Sequence, residues 1–201
     1  MRIGLLGPGC SDPKSFDRAA RGLRDELGAE RVVYLGEDRT LEQSVMGWAV
    51  DLVGQPADDA SFFLRATDSC LNANADAILD FLSQEREREK LRMFESLARG
   101  SRSVEIIAGR VAILVTDKRL LSEEDILPAH ILVYGRSVEA VMKPIGKRWF
   151  LSPGSFPDAG VMLLCEEDES LWARAYSPTL ELRNEAKISL EAALKMRAQG
   201  G

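Results

Sequence analysis

Two short apolar runs, Arg2–Leu6 and Arg31–Leu35, each close on a glycine, Gly7 and Gly36. Between them Phe16, Ala19, Ala20, Leu23 and Leu27 recur at helical spacing, starting from a cap at Asp12 or Ser15 and stopping at Gly28. Strand, amphipathic helix, strand in that order demands a crossover, so the two strands lie parallel in one sheet with a helix on its face. The alternation goes on: Leu41–Val53 reads as a helix ended by Gly54 and Pro56, and Phe62-Phe63-Leu64 as a third strand. That rhythm fixes an α/β architecture before any motif is considered.

The second half reads differently. Asn74–Arg99 is expected to form one long helix, and its middle, QEREREK, alternates in charge and suits a solvated face with i,i+4 pairs. After Gly100 come short strands at 103–107, 111–115, 131–134, 138–144, 149–151, 161–165 and 171–176, divided by turns such as Ala108-Gly109-Arg110 and Gly146-Lys147. They predict a second sheet packed on the first. From Thr179 the composition is helical, which predicts a domain over 1–176 and a C-terminal helical extension over 177–201. Ile188, Leu190, Ala193, Leu194 and Met196 of that extension dock on its own domain or on another protein. The segment Met46-Gly47-Trp48-Ala49-Val50 is apolar nearly all round, so it lies deep or meets a partner.

Composition narrows the function. At 201 residues and 45% hydrophobic, the chain can bury one substantial core. A net charge of −6 argues against nucleic acid as a default partner. Cys10, Cys70 and Cys165 are odd in number and widely spaced, which fits reduced, buried thiols rather than disulfides or a thiolate zinc site. No run approaches the ~20 apolar residues of a membrane span, and the short apolar start is no signal-peptide core, so a cytoplasmic protein is expected. The glycines at 4, 7 and 9 have the wrong spacing for a dinucleotide fingerprint, and Ser155 lacks a nucleophile-elbow context.

Six pieces of the sequence, in order, resemble small metallophosphoesterases of the bacterial YfcE type, in the calcineurin-like superfamily. MRIGLLG is similar to their first strand and RVVYLGED to the second with its glycine; FFLRATDS falls at their Gly-Asn loop. VEIIAGRVAILVT resembles the hairpin leading to a His-Gly-His loop, HILVYGRSV the strand entering Gly-His-Thr-His, and LSPGS the terminal Asn-Pro-Gly-Ser turn. The resemblance covers residues 1 to about 176 and implies a two-sheet sandwich flanked by helices, to which the C-terminal helix is added.

The resemblance also says which chemistry is missing. The expected Asp and His of the first loop are Pro8 and Cys10; the Gly-Asp aspartate is Glu37, or Asp38 after a slip of one; the asparagine is Thr67. The His-Gly-His loop reads Asp117-Lys118-Arg119, and Gly-His-Thr-His reads Gly135-Arg136-Ser137-Val138. The chain has one histidine, His130, and it precedes the strand, outside every ligand position. Proline and valine offer no donor atom, and a guanidinium repels a divalent ion, so two-metal hydrolysis is not expected and no cofactor is implied. Glu37, Asp38, Asp68 and Asp117 could hold at most one hard cation through oxygen. Arg136 is expected to neutralise Glu37 or Asp117 through a forked pair.

Three functions follow, in order of preference. The first is a pseudoenzyme that binds a protein partner or a second copy of itself, as a retromer subunit of this fold binds proteins without phosphatase work. The second is a sensor for a nucleotide or phosphorylated small molecule, held by Lys118, Arg119, Arg136 and Ser137. The third is a phosphoesterase with an oxygen-only metal site.

Overall fold

The computed structural model describes residues 1–9, 12–54, 59–72 and 74–189. The elements in chain order are β1 (Arg2–Leu6), α1 (Pro13–Asp25), β2 (Arg31–Tyr34), α2 (Thr40–Val53), α3 (Asp59–Asn72), α4 (Ala75–Lys90) and β3 (Phe94–Ser96). Then follow β4 (Arg102–Ile107), β5 (Arg110–Val115), α5 (Glu123–Ile126), β6 (Ile131–Tyr134), β7 (Val141–Ile145), β8 (Arg148–Ser152), β9 (Val161–Glu167), β10 (Ser170–Tyr176) and β11 (Leu182–Ile188). The chain falls into two compact units, one of residues 1–38 with those from Ser96 onward, the other Arg39–Glu95.

The first unit is a two-sheet sandwich. One sheet has the order β11-β10-β9-β1-β2-β3 and the other β4-β5-β6-β8-β7. Strand β1 runs parallel to β2 and antiparallel to β9, as the crossover through α1 requires. Alternation along each strand explains the layers. Ile3, Leu5, Val33 and Leu35 of the first sheet meet Leu114, Ile131, Val133 and Leu151 of the second in one buried cluster. The opposite face of β1 and β2 turns to α1, where Phe16 meets Tyr34 edge-on at 5.3 Å. A side chain at Gly4 would come within 3.0 Å of Leu23, so bare backbone lets α1 settle on the sheet. Ile113, Val115, Leu132 and Tyr134 cover the outer face of the second sheet beneath Ala129. Each of these buried aliphatic side chains contributes ~1.5–3 kcal/mol. Helix α1 begins as expected, with the Asp12 carboxylate accepting from the Lys14 N–H at 3.1 Å.

The second unit is helical, and here the sequence expectations need correction. Phe62-Phe63-Leu64 is not a strand but lies within α3. A three-residue apolar run carries no period, and the helical spacing of Phe62 and Arg65 brings both onto α4: Phe62 stacks on Phe81 at 6.1 Å and Arg65 binds Glu85 at 2.5 Å. The helix expected over 74–99 ends at Lys90 and passes through a tight turn at Leu91–Met93 into β3. No glycine or proline marks that stop; burial of Leu91 and Phe94 does, with Trp48 edge-on to Phe94 at 5.0 Å. The charged run is not wholly solvated either. The Glu85 and Arg88 side chains are 11% and 14% exposed and lie 2.6 Å apart.

At the other end of the chain, Leu182–Ile188 is a strand, not the first turns of a helix. Its helix-forming composition yields to the open edge of β10, whose ladder runs from Leu171↔Ile188 to Tyr176↔Leu182. Residues 190–201, the remainder of the expected helix, lie outside the described residues. Cys165 is buried as expected, whereas Cys70 on α3 is exposed; Cys10 also lies outside the described residues. No helix among the described residues is long and apolar enough to cross a membrane.

Candidate functional site

The loops that leave β1, β2, β3, β5, β6 and β8 belong to the first unit and are tied together by main-chain bonds. The Gly135 and Arg136 N–H groups donate to the Val115 and Thr116 carbonyls at 3.1 and 2.9 Å, joining the β6 exit to the β5 exit. The Phe156 N–H donates to the Pro8 carbonyl at 3.0 Å, and the Ser155 hydroxyl to the Ser137 carbonyl at 2.6 Å. Two glycines permit this crowding: a Cβ on Gly7 would overlap the Gly154 carbonyl oxygen, and one on Gly135 would overlap that of Leu35. The glycines of the frame are where loop meets loop.

Together the loops enclose a cavity of about 480 Å³ lined by Pro8, Leu35, Glu37, Asp38, Arg99, Thr116 and Arg136. Of the positions singled out in the sequence, Pro8, Glu37, Asp38 and Arg136 are therefore brought together. Asp117 stands beside them through Arg136. Thr67 does not join: it lies in α3 of the helical unit, where its hydroxyl donates to the Phe63 carbonyl at 2.8 Å. Val138 is 84% exposed. Lys118 and Arg119 sit on a single tight turn after β5, the Lys118 ammonium 5.8 Å over the Tyr134 ring and the Arg119 N–H on Asp117 at 3.0 Å. The Ser137 hydroxyl donates to the Glu139 carbonyl at 2.8 Å. Of the four groups expected to hold a ligand, only Arg136 lines the cavity.

Arg99 and Thr116 escape the sequence reading. Arg99 reaches the site because β3, not Phe62–Leu64, is the strand before this loop, and the Leu97 N–H fastens the loop to the Tyr34 carbonyl at 3.1 Å. The signal was FESLARG, a short strand followed by a glycine-closed loop, hidden behind the charged helix.

Every carboxylate here already has a partner. Glu37 accepts from the Thr116 hydroxyl at 3.1 Å and faces Arg99 at 3.7 Å. Asp38 accepts from the Tyr34 hydroxyl at 2.8 Å. Asp117, its side chain 12% exposed, faces Arg136 at 3.3 Å through one hydrogen bond rather than the expected fork. The Arg119 N–H, and less strongly the charges of Arg119 and Arg136, hold the Asp117 carboxyl below the usual range against an opposing effect of burial.

These residues do not fit a pair of metal ions. Pro8 brings no donor, two guanidiniums share the cavity with the carboxylates, and no group of three or more His, Cys, Asp or Glu side chains is placed to hold a metal among the described residues. His130 lies at the entry of β6, away from the loops at its exit, with its main chain bonded to Val111 and Trp149.

Two facing sheets with a cavity ringed by the loops at their strand ends match the metallophosphoesterase-like fold of solved phosphoesterases. No protein-family model and no curated protein matches the sequence. Solved structures do. The chain is similar to a novel archaeal phosphodiesterase at 11% identity, with a TM-score of 0.52 over 87% of this chain and 99% of that one. It is likewise similar to a predicted phosphoesterase from Streptococcus pneumoniae TIGR4 at 11% identity, with a TM-score of 0.51 over 92% of this chain and 95% of that one. At such identity the likeness is one of fold.

Proposed function

We propose that the chain is a metallophosphoesterase-fold protein that has given up hydrolysis and works as a protein-interaction module. In this reading Pro8, Cys10, Glu37, Asp38, Asp117, Arg136 and Val138 occupy the old metal-ligand positions. Thr67, expected among them, is replaced by the β3 exit loop with Arg99. The observation that carries the reading is the arginine pairing: Arg99 on Glu37 and Arg136 on Asp117 supply part of the positive charge that two divalent ions would otherwise bring. A divalent ion would have to displace a guanidinium and then find imidazole ligands that the loops lack. The interaction role is supported by the large apolar side chains left exposed on α3 and α4, Phe63, Leu64, Leu71 and Leu79 among them.

The test is metal analysis together with hydrolysis of bis-p-nitrophenyl phosphate in Mn²⁺. The expected result is substoichiometric metal and no turnover above buffer. Stoichiometric metal with turnover overturns the proposal.

One observation favours a second reading, a sensor of a phosphorylated small molecule. The Arg99 and Arg136 side chains are 83% and 71% exposed beside the cavity, where an anion could draw them from their carboxylates. A thermal-shift screen of nucleotides tests it, because a ligand that binds only the folded chain must raise Tm.

A further inference from the structure

The helical unit carries a second cavity, a groove between α3 and α4 of about 470 Å³. Its apolar lining is Phe62, Phe63, Phe81 and Leu82, with Phe63 65% and Leu82 43% exposed. Its rim is charged and unevenly so. Glu85 is shared by Arg65 at 2.5 Å and Arg88 at 2.6 Å, and Glu89 is met by Arg92 at 3.3 Å. Arg86, also on the rim, has no carboxylate at ion-pair distance among the described residues. Three lining guanidiniums, Arg86, Arg88 and Arg92, thus stand against two carboxylates, around an aromatic floor. Arg65 lies 5.9 Å from the Phe81 ring centre and Arg88 5.8 Å from that of Phe62, so cations flank the aromatic rings themselves.

A monomer has no use for such a surface. Exposed aromatic area rimmed by surplus charge of one sign is the composition of a recognition groove, and the volume is within the ~300–1,000 Å³ of ligand clefts. We infer that this groove binds an acidic amphipathic segment of a partner protein, with apolar side chains seated on Phe63, Phe81 and Leu82 and carboxylates meeting Arg86 and Arg92. The inference rests on the interaction reading above and names the surface and the partner's chemistry. Charge complementarity selects the occupant: a basic segment would bring its cations against three guanidiniums, and a neutral apolar one would leave Arg86 unanswered. A discrete groove, rather than a continuous basic face, favours a peptide over an anionic membrane.

The test measures fluorescence anisotropy of a labelled synthetic peptide, Leu and Phe at helical spacing among Asp and Glu, against the full chain. Its counterpart with Lys and Arg in place of the acids is the control. The expected result is saturable binding of the acidic peptide only, weakened about tenfold or more by Phe63→Asp or Arg86→Glu and kept by Arg86→Lys. Phe63 and Arg86 are solvent-facing, and circular dichroism of each variant confirms that folding is intact. Four results overturn the inference: no binding, equal binding of both peptides, sedimentation with phosphatidylserine–phosphatidylcholine vesicles in place of peptide binding, or light scattering that shows a dimer broken by Phe63→Asp. Hydrolytic turnover, which decides the preceding proposal, is untouched by any of them.

Discussion

The sandwich unit and the helical unit bury apolar surface in opposite ways. In the sandwich, β1, β2 and β6 are covered on both faces, so Leu5, Leu6, Val32, Val33, Ile131 and Leu132 are all fully or almost fully buried. Among the described residues of the helical unit only Leu41, Trp48, Ala49, Leu91 and Phe94 are buried apolar side chains, and α4 presents Ile78, Leu79 and Leu82 to solvent. Its helices hold largely buried charge instead: the Arg65, Glu85 and Arg88 side chains are 13%, 11% and 14% exposed, with Arg65 against the Phe81 ring and Arg88 against the Phe62 ring. A hydrophobic core is insensitive to which partner touches it. A buried ion cluster is held by geometry, since each charge must keep its opposite.

Substitution separates the two. Leu5→Ala removes three carbon atoms from the shared core of both sheets and is expected to lower stability by about 3–4 kcal/mol in urea unfolding. Leu79→Ala on α4, where the side chain is 64% exposed, is expected to stay within about 0.5 kcal/mol. Equal losses would abolish the distinction between the units.

Within the helical unit, Glu85→Ala removes the carboxylate that Arg65 and Arg88 share and is expected to lose about 3 kcal/mol. Hydrogen exchange locates that loss in α3 and α4. A loss spread evenly over the sheets would mean that the ion cluster does not stabilise this unit separately. The same carboxyl gives a pH signature. Burial pushes the Glu85 carboxyl up, but hydrogen bonds from Arg88 and Arg65 and their charges outweigh it, and the net shift is down. The unfolded chain therefore takes up its proton first as pH falls. The stability contributed is complete above the unfolded value of about 4.3 and is lost as pH drops through the lower folded value. Glu85→Gln is expected to flatten the fall in urea midpoint between neutral and acid pH; an unchanged slope would remove Glu85 from the acid transition.

The contrast also explains what was legible in the sequence. The sandwich strands announce themselves because burial on both faces needs β-branched and aliphatic residues in runs, and glycines end them where loops cross: Gly7 and Gly135 have no room for a side chain. Pro8, Glu37, Asp38 and Arg136 could be placed in one cavity through the resemblance of their loops to the metallophosphoesterase ligand loops. The helical unit announces nothing comparable. Phe62-Phe63-Leu64 has no period of its own, and the helix stop at Lys90 has no breaker, so β3 and with it Arg99 were concealed. Leu182–Ile188 misled for a third reason, since a strand's pairing partner overrides local propensity and the partner, β10, is visible only in the fold.

The smallest expected effect falls at the cavity. Arg136 binds Asp117 as Arg65 binds Glu85, but its side chain is 71% exposed against 13%, so solvent screens most of the attraction. Arg136→Ala is expected to change stability by at most about 1 kcal/mol near neutral pH. Asp117 retains the Arg119 N–H, the strongest influence on its carboxyl, so it stays ionised without Arg136. What the substitution should change is the cavity's charge: removing one guanidinium leaves Arg99 as the remaining arginine in a lining that also holds Glu37 and Asp38. Addition of Mg²⁺ to Arg136→Ala is then expected to raise Tm where it leaves the unaltered chain unmoved, because a cation can take the vacated role. A Tm that responds to Mg²⁺ equally in both chains would show that Arg136 does not stand in for a metal ion.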